Sequence, residues 1–165
     1  MNNAQLNGID PRLGQAIELI WKEAALLDTK SYKEWLTLWD PAGKYVIPIE
    51  RDAADYSKVL NYVYDDDNMR QLRVQRLTAG YAVSAVDAAR TVRTLSRFTL
   101  AKASEHEVEV HSGQVVVAYK RDKNVLFAAD LVHHIRLDGG QARISNKVVK
   151  LLNSTDTLNS IGFLL

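Results

Sequence analysis

Apolar positions in the first forty residues recur at the spacing of amphipathic helices. From Gln15 onward, steps of three and four predict a helix whose apolar face comprises Ile17, Ile20, Trp21, Ala24 and Leu27. A second helix is predicted at about Tyr32–Trp39, because Ser31 and Glu34 have the spacing of a capping box. Residues 1–14 are polar, and we expect a flexible arm there, followed by a single domain of residues 15–165.

The next stretch combines a turn signal with a short strand. Asp40-Pro41-Ala42-Gly43 predicts a turn by its residue chemistry. The strand that follows, over residues 45–49, contains Pro48, which has no N–H to donate and therefore favours the edge of a sheet. We expect irregular chain over residues 50–64.

A third helix is predicted at about Asn68–Leu77, because three aspartates, Asp65–Asp67, place negative charge at the positive end of its dipole. Arg70, Arg73 and Arg76 recur every third residue along it and form a basic stripe. Such a stripe is either a solvated face or a contact for an acidic partner.

Beyond Arg90 the period changes to two, which predicts four long strands at about 92–103, 106–121, 125–137 and 141–152. Arg121–Asn124 and Asp138–Gly140 supply the hairpin turns between the last three. The sheet should curl, because right-handed twist accumulates along strands of this length. Helices followed by a long antiparallel sheet predict an α+β fold, with the helices on one face of that sheet.

Composition limits the chemistry that this chain can carry. Its 165 residues suffice for one core, and its formal net charge of +1 gives no general attraction to nucleic acid or to an anionic membrane. It has no cysteine, whereas every iron–sulfur cluster, the Rieske centre included, needs at least two. We find neither a membrane-spanning apolar run nor a signal-peptide pattern, and we expect a cytoplasmic protein without a cofactor of its own.

Any metal or acid–base hypothesis rests on four histidines, namely His106, His111, His133 and His134. His133 and His134 are adjacent in a predicted strand, so their side chains point to opposite faces and cannot enter one site. A two-histidine, one-carboxylate iron site that includes His111 and one of this pair stays open. The alternative is histidines that are hydrogen-bonded within a core or an interface.

A pocket between the helices and the sheet is a second place for chemistry. Tyr32, Asp130 and His133 are the candidate catalytic residues of such an acid–base site. Asp130 and His133 are three residues apart in a predicted strand, so their side chains point to opposite faces. This difference in strand parity argues against a shared pocket unless a bulge intervenes. For Tyr32 a simpler interpretation is available, because it forms a core-facing stripe with Trp35 and Trp39.

Partner contacts are suggested by arginine and aromatic residues, which protein interfaces favour. One face of the long sheet combines charged residues with Val117, Tyr119, Leu126 and Val132. That face is too apolar to remain wholly in water, and we expect it to mediate self-association. The candidate interface residues are Arg73, Arg76, Arg93, Arg97 and Tyr119.

Short motifs follow one another in a fixed order over about residues 16–165. They begin with EAALLD at 23–28, Tyr32, Trp35-Leu36, Tyr45 and Pro48, and continue with RVQRL at 73–77, RTVR at 90–93 and the last two strands at 126–129, 140–144 and 147–151. In this order and spacing they resemble the β subunits of aromatic-ring-hydroxylating dioxygenases. RVQRL is similar to that family's RVxRL segment, and RTVR is similar to the segment SRTRH before its first long strand.

Two departures from the family pattern predict a divergent branch. Ala89 and Thr94 stand where the family usually has serine and histidine. Thr78-Ala79-Gly80-Tyr81 replaces the usual Trp-x-Glu.

The resemblance implies a cone-shaped fold with a strongly curved mixed sheet, like those of nuclear transport factor 2 and scytalone dehydratase. It implies a structural subunit without catalytic residues, assembled as a trimer with three α subunits. Those α subunits would carry the Rieske [2Fe–2S] cluster, the mononuclear Fe(II) and the pocket that selects the aromatic substrate. A stand-alone dehydratase- or isomerase-type enzyme of the same fold is the alternative.

Overall fold

Helices lie on one face of a mixed sheet in the computed structural model, which describes residues 10–84, 89–154 and 163–165. Within these ranges the helices are Pro11–Asp28 (α1), Tyr32–Leu36 (α2) and Asp67–Ser84 (α3), with a 3-10 turn at Tyr56–Lys58. The strands are Trp39–Pro48 (β1), Asn61–Asp65 (β2), Arg90–Ala103 (β3), Glu107–Lys120 (β4), Lys123–Asp138 (β5) and Gln141–Leu151 (β6).

The six strands form one open sheet in the order β2-β1-β6-β5-β4-β3. Neighbours are antiparallel except β1 and β6, which run parallel and pair Tyr45 with Lys147. Helix α1 packs across one face, which we call the inner face, against β3, β4 and β6. The predicted α+β fold with a mixed sheet is therefore confirmed, and the space between α1, α2 and the inner face is called the cone interior below.

The first two helices differ from prediction at their ends. Helix α1 begins at Pro11 rather than Gln15, because Asp10 accepts a hydrogen bond from the N–H of Arg12 (2.9 Å) and proline is favoured at the first position. The predicted arm is thus wrong for residues 11–14, and residues 1–9 lie outside the described ranges. Helix α2 ends at Leu36, and Ser31 does not cap it by its side chain, so the predicted capping box is wrong.

Strand β1 is longer and more central than predicted. The Asp40–Gly43 turn exists, but as an irregularity inside the strand, where Asp40 accepts from the N–H of Ala42 (2.9 Å). A Cβ at Gly43 would lie 2.9 Å from the main-chain oxygen of Asp40, so this position needs glycine. Strand β1 lies between β2 and β6, so the predicted edge position is wrong. Pro48 is tolerated because it is the last residue of the strand, where the register shifts.

The edge of the sheet is instead β2, which begins within residues 50–64 and was not predicted. Its alternation of buried and exposed residues covers only five positions, too few to distinguish it from loop. Helix α3 extends seven residues beyond the predicted Leu77, to Ser84.

Strands β3 to β6 follow their predicted bounds to within two residues. Both predicted hairpin turns are present. Arg121 and Asp122 have φ of 50° and 60°, and Gly139 and Gly140 have φ of 56° and 86°. Positive φ at both central residues matches the right-handed twist of the flanking strands.

The core lies between α1, α2 and the inner face of the sheet. The predicted stripe of Tyr32, Trp35 and Trp39 is confirmed as core, at 4%, 0% and 3% exposure. Trp35 and Trp39 meet edge to face at 5.4 Å, and Tyr45 completes the aromatic group. On the sheet side the core is mainly aliphatic, with Val108, Val110, Val116, Leu131, Ile135, Ile144 and Val149.

Candidate functional site

Four polar side chains meet inside the cone interior, and none is more than 2% exposed. They come from four elements: Glu23 from α1, Trp35 from α2, His133 from β5 and Lys147 from β6. One oxygen of Glu23, Oε1, accepts hydrogen bonds from Trp35 Nε1 (3.0 Å) and Lys147 Nζ (2.9 Å). The other, Oε2, lies 3.0 Å from His133 Nε2. We call these four residues the cone network.

Local structure places each member of the cone network. Glu23 follows Ile20 by three residues and precedes Leu27 by four, so it lies on the buried face of α1. His133 and Lys147 are direct cross-strand neighbours. Their side chains therefore project side by side from the inner face, beneath Glu23.

The electrostatics of the network favour an ionised Glu23. Burial alone would raise the pKa of Glu23, but the Lys147 ammonium and the hydrogen bonds from His133 and Trp35 outweigh it and hold this pKa far below its usual range. Burial lowers the pKa of His133, against the opposing effect of Glu23. His133 is therefore neutral, donating through Nε2 to Glu23, and its Nδ1 has no hydrogen-bond partner in the described chain.

The same network holds residues 163–165. The hydroxyl of Tyr45 donates to the main-chain oxygen of Leu165 (3.0 Å) and accepts from its N–H (3.1 Å). Lys147 Nζ donates to the same oxygen (2.9 Å). Burial raises the pKa of Tyr45, so its hydroxyl keeps its proton.

A second ion pair, between the buried Arg93 and the partly exposed Asp28, lies near the cone network. Asp28, the last residue of α1, accepts from the Thr91 hydroxyl (2.9 Å) and from the N–H of Arg93 (3.0 Å). The Arg93 guanidinium lies 3.2 Å from Asp28 and donates to the main-chain oxygen of Leu164 (2.8 Å). Asp28 thereby joins the end of α1 to β3.

The structure does not bring the three candidate catalytic residues together. Tyr32 and His133 are buried on the inner side. Asp130 lies on the opposite, outer face, where Arg51 (2.7 Å) and Arg97 (2.8 Å) both donate to it. The register of β5 is regular from 130 to 133, so parity separates Asp130 from His133 as the sequence suggested.

Two of the candidate interface residues are committed to their own chain. The side chain of Arg93 is 1% exposed, so its prediction as a partner-facing residue is wrong. Arg73 makes two hydrogen bonds to the buried Asp65, at 2.5 and 3.0 Å. Neighbouring Arg70 is fully buried against the Trp39 ring, 4.3 Å from its centroid, so the basic stripe is not solvated along its whole length. Arg76, Arg97 and Tyr119 lie at the surface.

The outer face of the sheet carries an exposed apolar row. Val92, Val117 and Leu126 are cross-strand neighbours on β3, β4 and β5. Their exposures of 68%, 38% and 66% are high for aliphatic side chains in regular strands. Beside this row, Arg97 has φ of 57°, and its guanidinium crosses over Gly113 to reach Asp130. We call the three aliphatic residues the outer row.

The described residues hold no group of three or more histidine or acidic side chains placed to bind a metal ion. His111 is engaged with Glu109 (2.7 Å) on the outer face, away from His133. None of the described helices is long and apolar enough to cross a membrane.

Sequence reasoning missed Glu23, Tyr45 and Lys147 as site residues. Two signals were present. Glu23 is an acid on an otherwise apolar helix face, and all three belong to the motifs that carry the family resemblance. Their meeting point depends on the pairing of β1 with β6, which no local pattern specifies.

The family profile described as "Ring hydroxylating beta subunit" matches residues 22–157. The chain belongs to the ring-hydroxylating β-subunit family. It is 31% identical over 134 residues to the small oxygenase component of the p-cumate 2,3-dioxygenase system of Pseudomonas putida, covering 79% of this chain and 73% of that protein.

Alignment with solved structures identifies the fold of this member of the β-subunit family. It aligns with the β subunit of benzoate 1,2-dioxygenase from Burkholderia mallei at a TM-score of 0.79 and 20% identity, covering 96% of this chain and 100% of that one. It also aligns with a candidate scytalone dehydratase from Novosphingobium aromaticivorans at a TM-score of 0.65 and 9% identity, covering 85% and 83%. The predicted cone-shaped fold is confirmed.

The first prediction concerns the Glu23 carboxylate. Glu23→Gln removes the charge that offsets Lys147, and a buried ion pair broken on one side costs about 3–5 kcal/mol. We expect a loss of that size in the free energy of unfolding, measured by urea denaturation. Glu18→Gln, an exposed change on the same helix, is the matched control and should stay within about 0.5 kcal/mol of wild type. Equal, small effects of both changes would contradict a structural role for the network.

The second prediction concerns pH. The pKa of His133 is lowered in the folded protein, so between its unfolded value of about 6.5 and its folded value only the unfolded chain binds the proton. Stability should therefore fall as pH drops below about 6.5, with a slope of at most ~1.4 kcal/mol per pH unit from this group. His133→Gln keeps a donor for Glu23 and should remove that part of the slope, whereas the exposed His106→Gln should not. Urea denaturation at pH 7, 6 and 5 measures the free energy of unfolding at each pH. An unchanged pH slope in His133→Gln would contradict a buried, neutral His133.

Proposed function

We propose that this chain is the small, structural subunit of a multicomponent aromatic-ring-hydroxylating dioxygenase, an oxidoreductase of aromatic-compound catabolism. Its membership of the β-subunit family over residues 22–157 carries the proposal. The chain supports assembly of the catalytic α subunits and is the non-catalytic part of the complex. We also propose that the complex works in the cytoplasm.

The metal centres of such a complex belong to the α subunit. A Rieske cluster needs at least two cysteine ligands, and this chain has none. The described residues likewise offer no site for the mononuclear iron. The residues present therefore do not fit either centre, and no electron-transfer step is assigned to this chain.

The buried site favours this function over a stand-alone pocket enzyme. In an acid–base enzyme, a carboxylate and a histidine must reach the substrate. Here Glu23 and His133 bind each other, and Glu23 also binds Trp35 and Lys147. Asp130 lies on the other face of the sheet. The p-cumate relative matches this chain in sequence and the benzoate β subunit matches it in fold, although the two systems are named for different compounds, so we propose that the α subunit selects the substrate.

The outer face supports a trimeric assembly. The outer row exposes apolar surface that a regular strand of a monomer would not retain, and Tyr119 and Arg97 flank it. An aromatic residue and an arginine beside an apolar centre are typical of a protein interface. Contact between this face of one copy and a different face of the next generates a ring when the rotation between neighbouring copies closes. We propose a ring of three, joined to three α subunits.

The third prediction tests the subunit role directly. Co-expressed with the α subunit encoded by a neighbouring reading frame, the chain should co-purify with it, and the complex should hold iron and show oxygenase activity. His133→Gln should leave turnover per assembled complex within about twofold of wild type, because loss of a general acid or base would cost 10²–10⁴-fold. Iron content and sedimentation are measured on the same sample. A His133→Gln complex with normal assembly and iron but without activity would contradict a non-catalytic subunit.

The fourth prediction tests the outer face. Leu126→Glu places a charge in the outer row and should convert the trimer to smaller species in analytical ultracentrifugation at micromolar concentration. Leu60→Glu is the matched control, since Leu60 is 80% exposed beside β2, at the opposite edge of the sheet. A wild-type monomer, or equal effects of the two variants, would argue against this interface.

A further inference from the structure

The cone interior holds a short segment of its own chain in the manner of a bound ligand. Leu164 and Leu165 are 3% and 1% exposed, and Phe163 packs edge to face on Phe127 at 5.6 Å. Their apolar side chains face the core, while the main-chain oxygens of Leu164 and Leu165 each receive side-chain donors. An apolar lining with a few placed polar groups is the usual composition of a small-molecule site.

The donors around this segment exceed the acceptors that it offers. Arg93 Nη2, Tyr45 Oη and Lys147 Nζ share two main-chain oxygens. Arg93 Nη1 is buried and has no hydrogen-bond partner in the described chain, and Arg93 Nε approaches Asp28 at 3.2 Å without hydrogen-bond geometry. Buried guanidinium donors without acceptors are costly, so the site has capacity for a further acceptor oxygen.

The carboxylates already present take up only part of these donors, since Lys147 also donates to Glu23 and Arg93 Nε lies beside Asp28. Both oxygens of Glu23 are engaged with the cone network. Asp28 is engaged with Thr91 and the Arg93 main chain. An incoming carboxylate would therefore meet the ammonium of Lys147, the hydroxyl of Tyr45 and the free edge of Arg93, with apolar surface around its body.

We propose that the cone interior is a latent binding site for a small, branched aliphatic carboxylate, and that residues 163–165 occupy it in cis. The chain's own leucines fill the apolar part, and their main-chain oxygens stand where a carboxylate would bind. The site is closed in the wild-type protein because its occupant is covalently attached and always present at high effective concentration. This inference does not depend on the partner subunit or on the proposed function.

Leu165→Ala tests the proposal in the whole chain, because it vacates the apolar part of the site and removes the burial that holds the main-chain oxygen of residue 165 against Tyr45 and Lys147, while the donors themselves stay. The probe is 4-methylpentanoate, which has the branched end of a leucine side chain and a carboxylate. Its neutral match is 4-methylpentan-1-ol. Binding at pH 7 is followed by NMR at the indole N–H of Trp35, which donates to Glu23 inside the cone.

We expect Leu165→Ala to bind 4-methylpentanoate at least tenfold more tightly than the wild type does, and at least tenfold more tightly than it binds the alcohol. Leu152→Ala is the matched control, since Leu152 is 63% exposed, and it should behave as wild type. If Leu165→Ala does not fold, Leu165→Val is compared with the wild type and with the alcohol in the same way. We expect its affinity for 4-methylpentanoate to be at least threefold higher than that of the wild type.

Three results would overturn the proposal. Absence of binding to the folded variant would show that no site opens. Equal binding of acid and alcohol would show a plain apolar cavity in which the donors have no role. Equal binding by wild type and variant would show that residues 163–165 do not occupy the site.

Discussion

The carboxylate of Glu23 is buried beneath α1 and is bound by an indole from α2, an imidazole from β5 and an ammonium from β6. A charge removed from water in this way is tolerated only when each partner is in place, because an unpaired buried ion costs several kcal/mol. The relative positions of α1, α2, β5 and β6 therefore depend on one side chain. Lys147 extends the constraint further, since its ammonium also holds the main chain of Leu165. Helix, sheet and the end of the described chain meet at this one anion.

A second constraint keeps β1 between β2 and β6, where Tyr45 pairs with Lys147. The parallel pairing of β1 with β6 requires the chain to turn inside the strand, and Gly43 allows the close approach to Ile144. Arg70 then covers this region, stacking on Trp39 and donating to the main-chain oxygen of Gly43 (2.5 Å). Three of the motif residues, Glu23, Tyr45 and Lys147, are explained by these contacts. They maintain internal geometry rather than a reacting centre.

These contacts connect the fold to a structural role. The fold is shared with a candidate scytalone dehydratase, and here Lys147 is bonded to Glu23, while Lys147 and Tyr45 are both bonded to Leu165. The interior is filled by side chains of the core, whereas the outer face retains exposed apolar surface along the outer row. A subunit whose buried polar groups bond one another and whose outer face exposes apolar side chains is suited to contact with other chains.

The long strands were predictable from sequence because alternation over a dozen residues is a strong local signal, and the two hairpins because Gly139-Gly140 and a polar four-residue run can be identified as turns. The absence of cysteine limits the chemistry by composition alone, because no iron–sulfur cluster forms without thiolate ligands. Short elements were not predictable: β2 has five residues, and the helix ends depended on which side chain reaches a free N–H. The burial of Arg93 was not predictable either, because it follows from the packing of α1 and residues 163–165 over β3.

The candidate site separates most clearly the features that the sequence determines from those that depend on the tertiary structure. The sequence determined that Asp130 and His133 face opposite ways, because strand parity is a local property. Only the tertiary structure decided that His133 and Lys147 share the Glu23 anion, since each of these two sheet residues is more than a hundred positions from Glu23. Their meeting requires α1 to cross the inner face at one position and β6 to pair with both β5 and β1. Long-range packing sets those relations, and no periodicity within a segment encodes them.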